Sequence, residues 1–119
     1  MKKKYEVNLS SEYAVTFPDE QKIIDYYIDG DWKETFYEFY GIEDMIRSII
    51  YSFVRTGTQM LKDELGNYYF CKVIEGYPEF VRDDDNRDLY TSSHEECGTI
   101  IIERECELDV DFVTEQDNT

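Results

Sequence analysis

Five carboxylates recur at alternate positions near the end of the chain: Glu103, Glu105, Glu107, Asp109 and Asp111. In an extended strand, alternate residues share a face, so these five would form a file spaced by roughly 6.6–6.8 Å. The intervening positions Ile100, Ile102, Arg104, Cys106, Leu108, Val110 and Phe112 would form the opposite face, apolar apart from Arg104. The preceding segment adds Asp83, Asp84, Asp85, Asp88, Glu95 and Glu96. A row of like charges repels itself, and solubility does not require one. It can block edge-to-edge strand pairing, gather cations, or attract an Arg/Lys groove that ordinarily holds phosphates.

Other chemistry has less to build on. His94 is the only histidine, and no G-x-S-x-G, P-loop or G-x-G-x-x-G pattern occurs. No pair of carboxylates is singled out for acid–base work, so no catalytic residue and no cofactor is expected. A zinc set would need His94, Cys97, Cys106 and Cys71, whose spacings are not those of a zinc motif. From Asp84, a calcium loop would run through Asn86, Asp88, Tyr90 and Ser92 to Glu95. Its sixth position, however, is Leu89 where the sharp turn needs glycine, and the flanking segments read as strands rather than helices. No metal site is therefore expected, and a calcium-binding module using residues 84–95 stands as the third reading of function.

The net charge is −16 over 119 residues, with 41% hydrophobic and 16% aromatic content. That much apolar material argues for a packed core rather than disorder. Residues 83–119 hold −11 of the charge and residues 1–82 the remaining −5. This imbalance disfavours direct nucleic-acid binding and approach to an anionic membrane, and it favours a basic partner. The three cysteines show no C-x-x-C spacing, no signal-peptide pattern follows Lys2-Lys3-Lys4, and no apolar run approaches a membrane span. The cytoplasm of a bacterial host cell is the expected location.

B-DNA carries one charge per ~1.7 Å of axis, so one strand of alternating carboxylates is too sparse to imitate a duplex. A second acidic file would be needed, from the 83–96 segment or from the helix acids Asp25, Asp29, Glu34 and Glu38. In size, charge, aromatic richness and acidic C-terminal strand, the chain resembles the small, acidic, phage-encoded DNA-mimic inhibitors of the anti-CRISPR and antirestriction type. These share no common fold, so the resemblance implies a mechanism class: occlusion of the DNA-binding groove of a basic nuclease, such as a CRISPR effector. The implied contacts are Asp83, Asp84, Asp85, Asp88, Glu95, Glu96, Glu103, Glu105, Glu107, Asp109 and Asp111. The alternative is a phage structural or assembly protein that forms a homo-oligomer, a homodimer included, through its aromatic helices.

Several elements must position these groups. Tyr5, Val7, Leu9, Tyr13, Val15 and Phe17 share one parity, which favours a single strand over 4–17, bulged near Ser10-Ser11, over a hairpin turning there. Pro18-Asp19-Glu20 opens a helix over 19–28 that turns Ile23, Ile24, Tyr27 and Ile28 inward before Gly30. Asp31-Trp32-Lys33-Glu34 reads as a capping box for a short aromatic helix closed by Gly41. Ile42, Met45, Ile46, Ile49, Ile50 and Phe53 form an apolar stripe that predicts a helix over 42–55. Residues 59–63 and 68–74 predict a hairpin, and 77–82 a short strand with Pro78 at an edge or at its start. Residues 83–98 lack apolar periodicity and read as an acidic loop, and 115–119 as a frayed tail. The expected fold is α+β: one domain over 1–114, with a mainly antiparallel sheet of about four to five strands and two to three helices packed on one face.

Overall fold

A computed structural model describes the backbone of residues 3–117 and the side chains of residues 11–105. The fold is α+β, with three helices on one face of a six-stranded antiparallel sheet. The strands are β1 (Lys3–Thr16), β2 (Gln59–Lys62), β3 (Tyr68–Lys72), β4 (Phe80–Arg82), β5 (Leu89–His94) and β6 (Gly98–Asp117), in the sheet order β1-β6-β5-β4-β3-β2. From β2 to β6 the chain is a meander of neighbouring strands. β1 then pairs with β6 from the far end of the sequence.

The helical layer follows the apolar spacing. α1 (Glu20–Ile23) begins where the Asp19 carboxylate accepts from the Lys22 amide at 3.2 Å, then widens into a π-helical turn over Ile24–Ile28. Ile23 and Tyr27 are buried on its inner side. α2 (Trp32–Thr35) is a single turn, and the expected capping box does not form. Asp31 makes no side-chain cap, and only its carbonyl accepts from the Glu34 amide, at 3.0 Å. Trp32 instead anchors the turn from above. Its ring stacks on Phe39 (centroids 5.2 Å apart), and its indole donates to the Gly76 carbonyl at 2.7 Å. Gly76 has φ +93°, and a Cβ there would lie 2.9 Å from the Trp32 ring, so the position requires glycine. α3 (Ile42–Arg55) has the predicted bounds and buries Met45, Ile49 and Phe53. These side chains meet Phe80, Tyr90, Ile100 and Ile102 of the sheet in one core.

Three sequence expectations are overturned. Residues 83–98 are not a loop: β5 occupies Leu89–His94. Its inner positions are Tyr90, which is buried, and Ser92, which is also buried and donates to the Pro78 carbonyl at 2.7 Å. A satisfied polar side chain at a core position erased the alternation that would have marked the strand. β5 also separates Asp84 from Glu95, so the calcium loop cannot close, and no three metal-ligating side chains converge among the described residues. Finally, the backbone of Glu115–Asp117 pairs with Tyr5–Lys3 instead of ending the fold.

β1 is the single bulged strand expected, but most of the irregularity falls on β6. The register slips between Asn8 and Leu9, Ser10 and Glu12, and Glu12 and Tyr13, and each time β6 carries an extra residue. Asp111 and Glu105 are left without a residue opposite, so the strict two-residue repeat of the carboxylate file is broken by β-bulges. The register also places Lys3 and Lys4 opposite Asp117 and Gln116, beyond the acidic file.

Candidate functional site

Strand register decides which charges share a face. One row crosses all six strands as Thr16–Ile101–Thr91–Val81–Cys71–Gln59. It lies on the outer face, away from the helices. The same face holds Leu89 opposite Glu103, with Asp83 beside Leu89 through its amide bond to the Leu89 carbonyl (2.9 Å). Tyr69 donates to Glu79 there at 2.8 Å, which raises the tyrosine pKa. Burial, with the Glu79 charge adding to it, pushes the Cys71 thiol up. Among the described residues, the outer positions of the strands carry acidic, neutral polar and apolar groups but no lysine or arginine.

The structure brings part of the expected acidic set together. The β4–β5 turn sits beside β6, and the Arg104 amide donates to the Asp88 carbonyl at 3.0 Å. Asp83, Asp84, Asp85, Glu103 and Glu105 therefore gather at one end of the sheet, with Asp83–Asp85 and Glu105 exposed. Two of the acids have structural work. Asp83 accepts from the Asp85 amide at 2.8 Å, and Asp88 holds Arg104 through contacts of 2.8 and 3.1 Å. Glu95 and Glu96 lie in the β5–β6 turn, at the opposite end of a six-residue strand, about 17 Å away at ordinary rise per residue. They do not join the patch. The side chains of Glu107, Asp109 and Asp111 lie outside the described residues.

Edge protection does not explain Glu103. β6 lies between β1 and β5, and the edges of the sheet are β1 and β2. The β5 pairing ends at Leu89–Glu103, after which β6 continues as a two-stranded ribbon with β1.

The inner face has the opposite character where α3 ends. Its register row runs Val15–Ile102–Tyr90–Arg82, and Arg82 lies 4.0 Å over the ring of Phe70, whose strand partner is Met60. Lys62 lies 5.2 Å over the ring of its own partner, Tyr68. Lys72 donates to the Phe53 carbonyl at 2.8 Å, capping the negative end of α3, and lies 4.2 Å over the Phe53 ring. Burial lowers the Lys72 pKa, and the nearby Arg104 lowers it further. Beside it, Thr58, Tyr90, Arg87, Asp88 and Arg104 surround a cleft of about 180 Å³. The Thr58 and Tyr90 hydroxyls are bonded to each other at 2.9 Å.

Composition concealed this second site. Arg104 was visible as the exception on an apolar strand face. Lys72, Arg82 and Arg87 gave no signal until the register placed them together, although the alternation Tyr68–Phe70–Lys72 already put two rings and a cation on one side of β3. Among the described residues, no helix is long and apolar enough to cross a membrane. Comparison with protein-family models, with curated proteins and with solved structures returned no match.

Proposed function

We propose that the chain is a non-enzymatic acidic inhibitor. It would present the Asp83–Asp85 turn with Glu103 and Glu105 to the phosphate-binding groove of a basic nucleic-acid-binding protein, such as a nuclease. The observation that carries this reading is the joining of two acidic segments into one patch, at the end of a sheet face that carries no cation among its described positions. A single acidic strand is too sparse to substitute for a phosphate backbone. A turn laid beside that strand supplies the second file, and the sheet holds both in fixed relation. A preorganised anionic surface of this kind favours fast, salt-sensitive association with Arg/Lys clusters. A bacterial cytoplasm is the setting in which the resemblance to phage-encoded inhibitors makes sense.

The test uses immobilised protein, a bacterial lysate and a salt gradient, alongside a variant combining Asp84→Asn, Asp85→Asn, Glu103→Gln and Glu105→Gln. Asp83 and Asp88 are left intact because the turn depends on them. The expected result is retention of a DNA-binding protein that elutes at low to moderate salt, is displaced by duplex DNA, and is lost with the variant. Equal retention by the variant would sink the proposal.

A second reading, assembly into a homo-oligomer through the helical layer, is favoured by three exposed tyrosines: Tyr37, Tyr40 (96% exposed) and Tyr51. Sedimentation decides it. A concentration-dependent oligomer abolished by Tyr40→Ser and Tyr51→Ser supports assembly, and a monomer at high concentration rejects it.

A further inference from the structure

The inner face departs from the rest of the molecule in two ways that point to a ligand. Cations collect there despite the overall charge of −16: Lys72, Arg87 and Arg104 line the cleft, and Arg82 and Lys62 continue from it along β4 and β2. Among the described residues, Asp88 is the only carboxylate that lines the cleft. Holding a cation here has a cost, because burial and, beyond it, the nearby Arg104 lower the pKa of Lys72. Two large rings also stand partly exposed beside these cations, Phe70 with Arg82 and Tyr68 with Lys62 over one face. Tyr68 is 61% and Phe70 38% exposed, on the side of β3 that elsewhere forms the core. α3 stops short of them, so they are sheet-face aromatics without a helix above.

We propose that this strip, from the Lys72–Arg87–Arg104 cleft to the Phe70 and Tyr68 rings, binds single-stranded nucleic acid, the cations holding phosphates and the rings stacking bases. Flat rings bordered by arginine and lysine are the ordinary platform for unpaired bases, because every base has a π-face. Tyr68 and Phe70 are two residues apart on one strand, about 6.7 Å, so each can take its own base. Phe70 lies two strand spacings, about 9–10 Å, from Tyr90 in the cleft wall, a separation comparable to that between a phosphate and a nearby base. Duplex bases are stacked on each other and closed to this surface. The acidic patch does not forbid binding. Glu103 lies on the other face of the sheet, and Asp83–Asp85 are exposed in the turn that also carries Arg87, where salt screens them over a Debye length of about 8 Å. This proposal is independent of the inhibitor reading, which uses the outer face.

The experiment measures anisotropy of a fluorescent eight-nucleotide thymidine strand with the full chain, competed by unlabelled strand, the same sequence as duplex, thymidine monophosphate and polyglutamate. The single strand should compete best, the mononucleotide at least tenfold more weakly, and duplex and polyglutamate weakly. Phe70→Leu should weaken binding about tenfold or more. Arg87→Ala should weaken it and make the slope of log affinity against log salt shallower by about 0.7, one phosphate contact's worth. Arg47→Ala, on the exposed side of α3, should change neither. Amide shifts of the unaltered protein, titrated with the strand, should move at Tyr68, Phe70 and Lys72 and stay still at Val81 and Ile101, which keeps the test valid if a variant misfolds. Polyglutamate competing as well as the strand, affinity indifferent to both Phe70→Leu and Arg87→Ala, or shifts confined to the outer face would each overturn the proposal.

Discussion

The two faces of the sheet are made from the same strands, residue by residue, yet they differ in charge and in cover. β3 sends Tyr69 and Cys71 outward and Tyr68, Phe70 and Lys72 inward, while β6 sends Glu103 outward and Ile102 and Arg104 inward. Alternation alone separates the two chemistries, because neighbours along a strand point to opposite sides. Helices cover only the half of the inner face near Ile100, Ile102 and Phe80. The other half keeps cations and rings in the open. A sheet with a polar outer face and a helix-covered inner face needs no such half-covered strip for stability. The uncovered portion is therefore where the proposed ligand would bind, and the outer face is where the proposed protein partner would dock.

The largest test of this division is mechanical. Ile102→Ala should destabilise the fold by about 2–5 kcal/mol, because Ile102 is fully buried under the helices. Ile101→Ala, one residue away on the half-buried outer face, should cost less than about 1 kcal/mol. Denaturant midpoints compare the pair directly, and equal losses would mean that both faces are core.

A smaller effect sharpens the inner face alone. Tyr77 stacks on Tyr27, but its buried hydroxyl finds no partner among the described residues. Tyr77→Phe should therefore be neutral or stabilising, by up to about 1 kcal/mol, since it removes an unpaired polar atom. Burial raises the pKa of both tyrosines above the ordinary range. The neutral phenols thus contribute stability that is complete below about pH 10 and lost as pH rises through the raised values. The variant should flatten that alkaline decline, and an unchanged pH profile by circular dichroism would show that Tyr77 is not titrating within the core.

The smallest expected effect lies at the junction of the two faces. Asp88 and Arg104 pair at 2.8 Å, but both are about one-third exposed, so Asp88→Asn should cost less than about 1 kcal/mol. It should also free Arg104, tightening single-strand binding while leaving retention of a basic protein partner unchanged. Movement of both activities together would join what the sheet separates.

The fold was legible wherever local periodicity and burial agreed. α3 has one continuous apolar stripe, and its bounds could be read directly. β1 kept one parity through its bulge near Ser10 and was likewise visible. β5 was hidden because Ser92 replaces an apolar residue inside, made acceptable by the Pro78 carbonyl in the β3–β4 connection, which no local pattern reveals. The Asp31 cap was misread because tertiary packing of Trp32 sets that turn. Acidic residues were conspicuous because they cluster in sequence. Their basic counterparts come from β2, β3, β4, the β4–β5 turn and β6, and only strand pairing assembles them.

The partnership of β1 with β6 has a consequence in time. Residues 3–16 have no other strand to join, and their partner spans 98–117. During synthesis, β2 through β5 can pair as each hairpin emerges, and the helices can settle on them. β1 must wait until β6 has left the ribosome, carrying an unpaired edge while the intervening residues 17–97 are made. Contacts of such long sequence separation close slowly, so completion of the sheet should be the late step of folding, with the ribbon formed last.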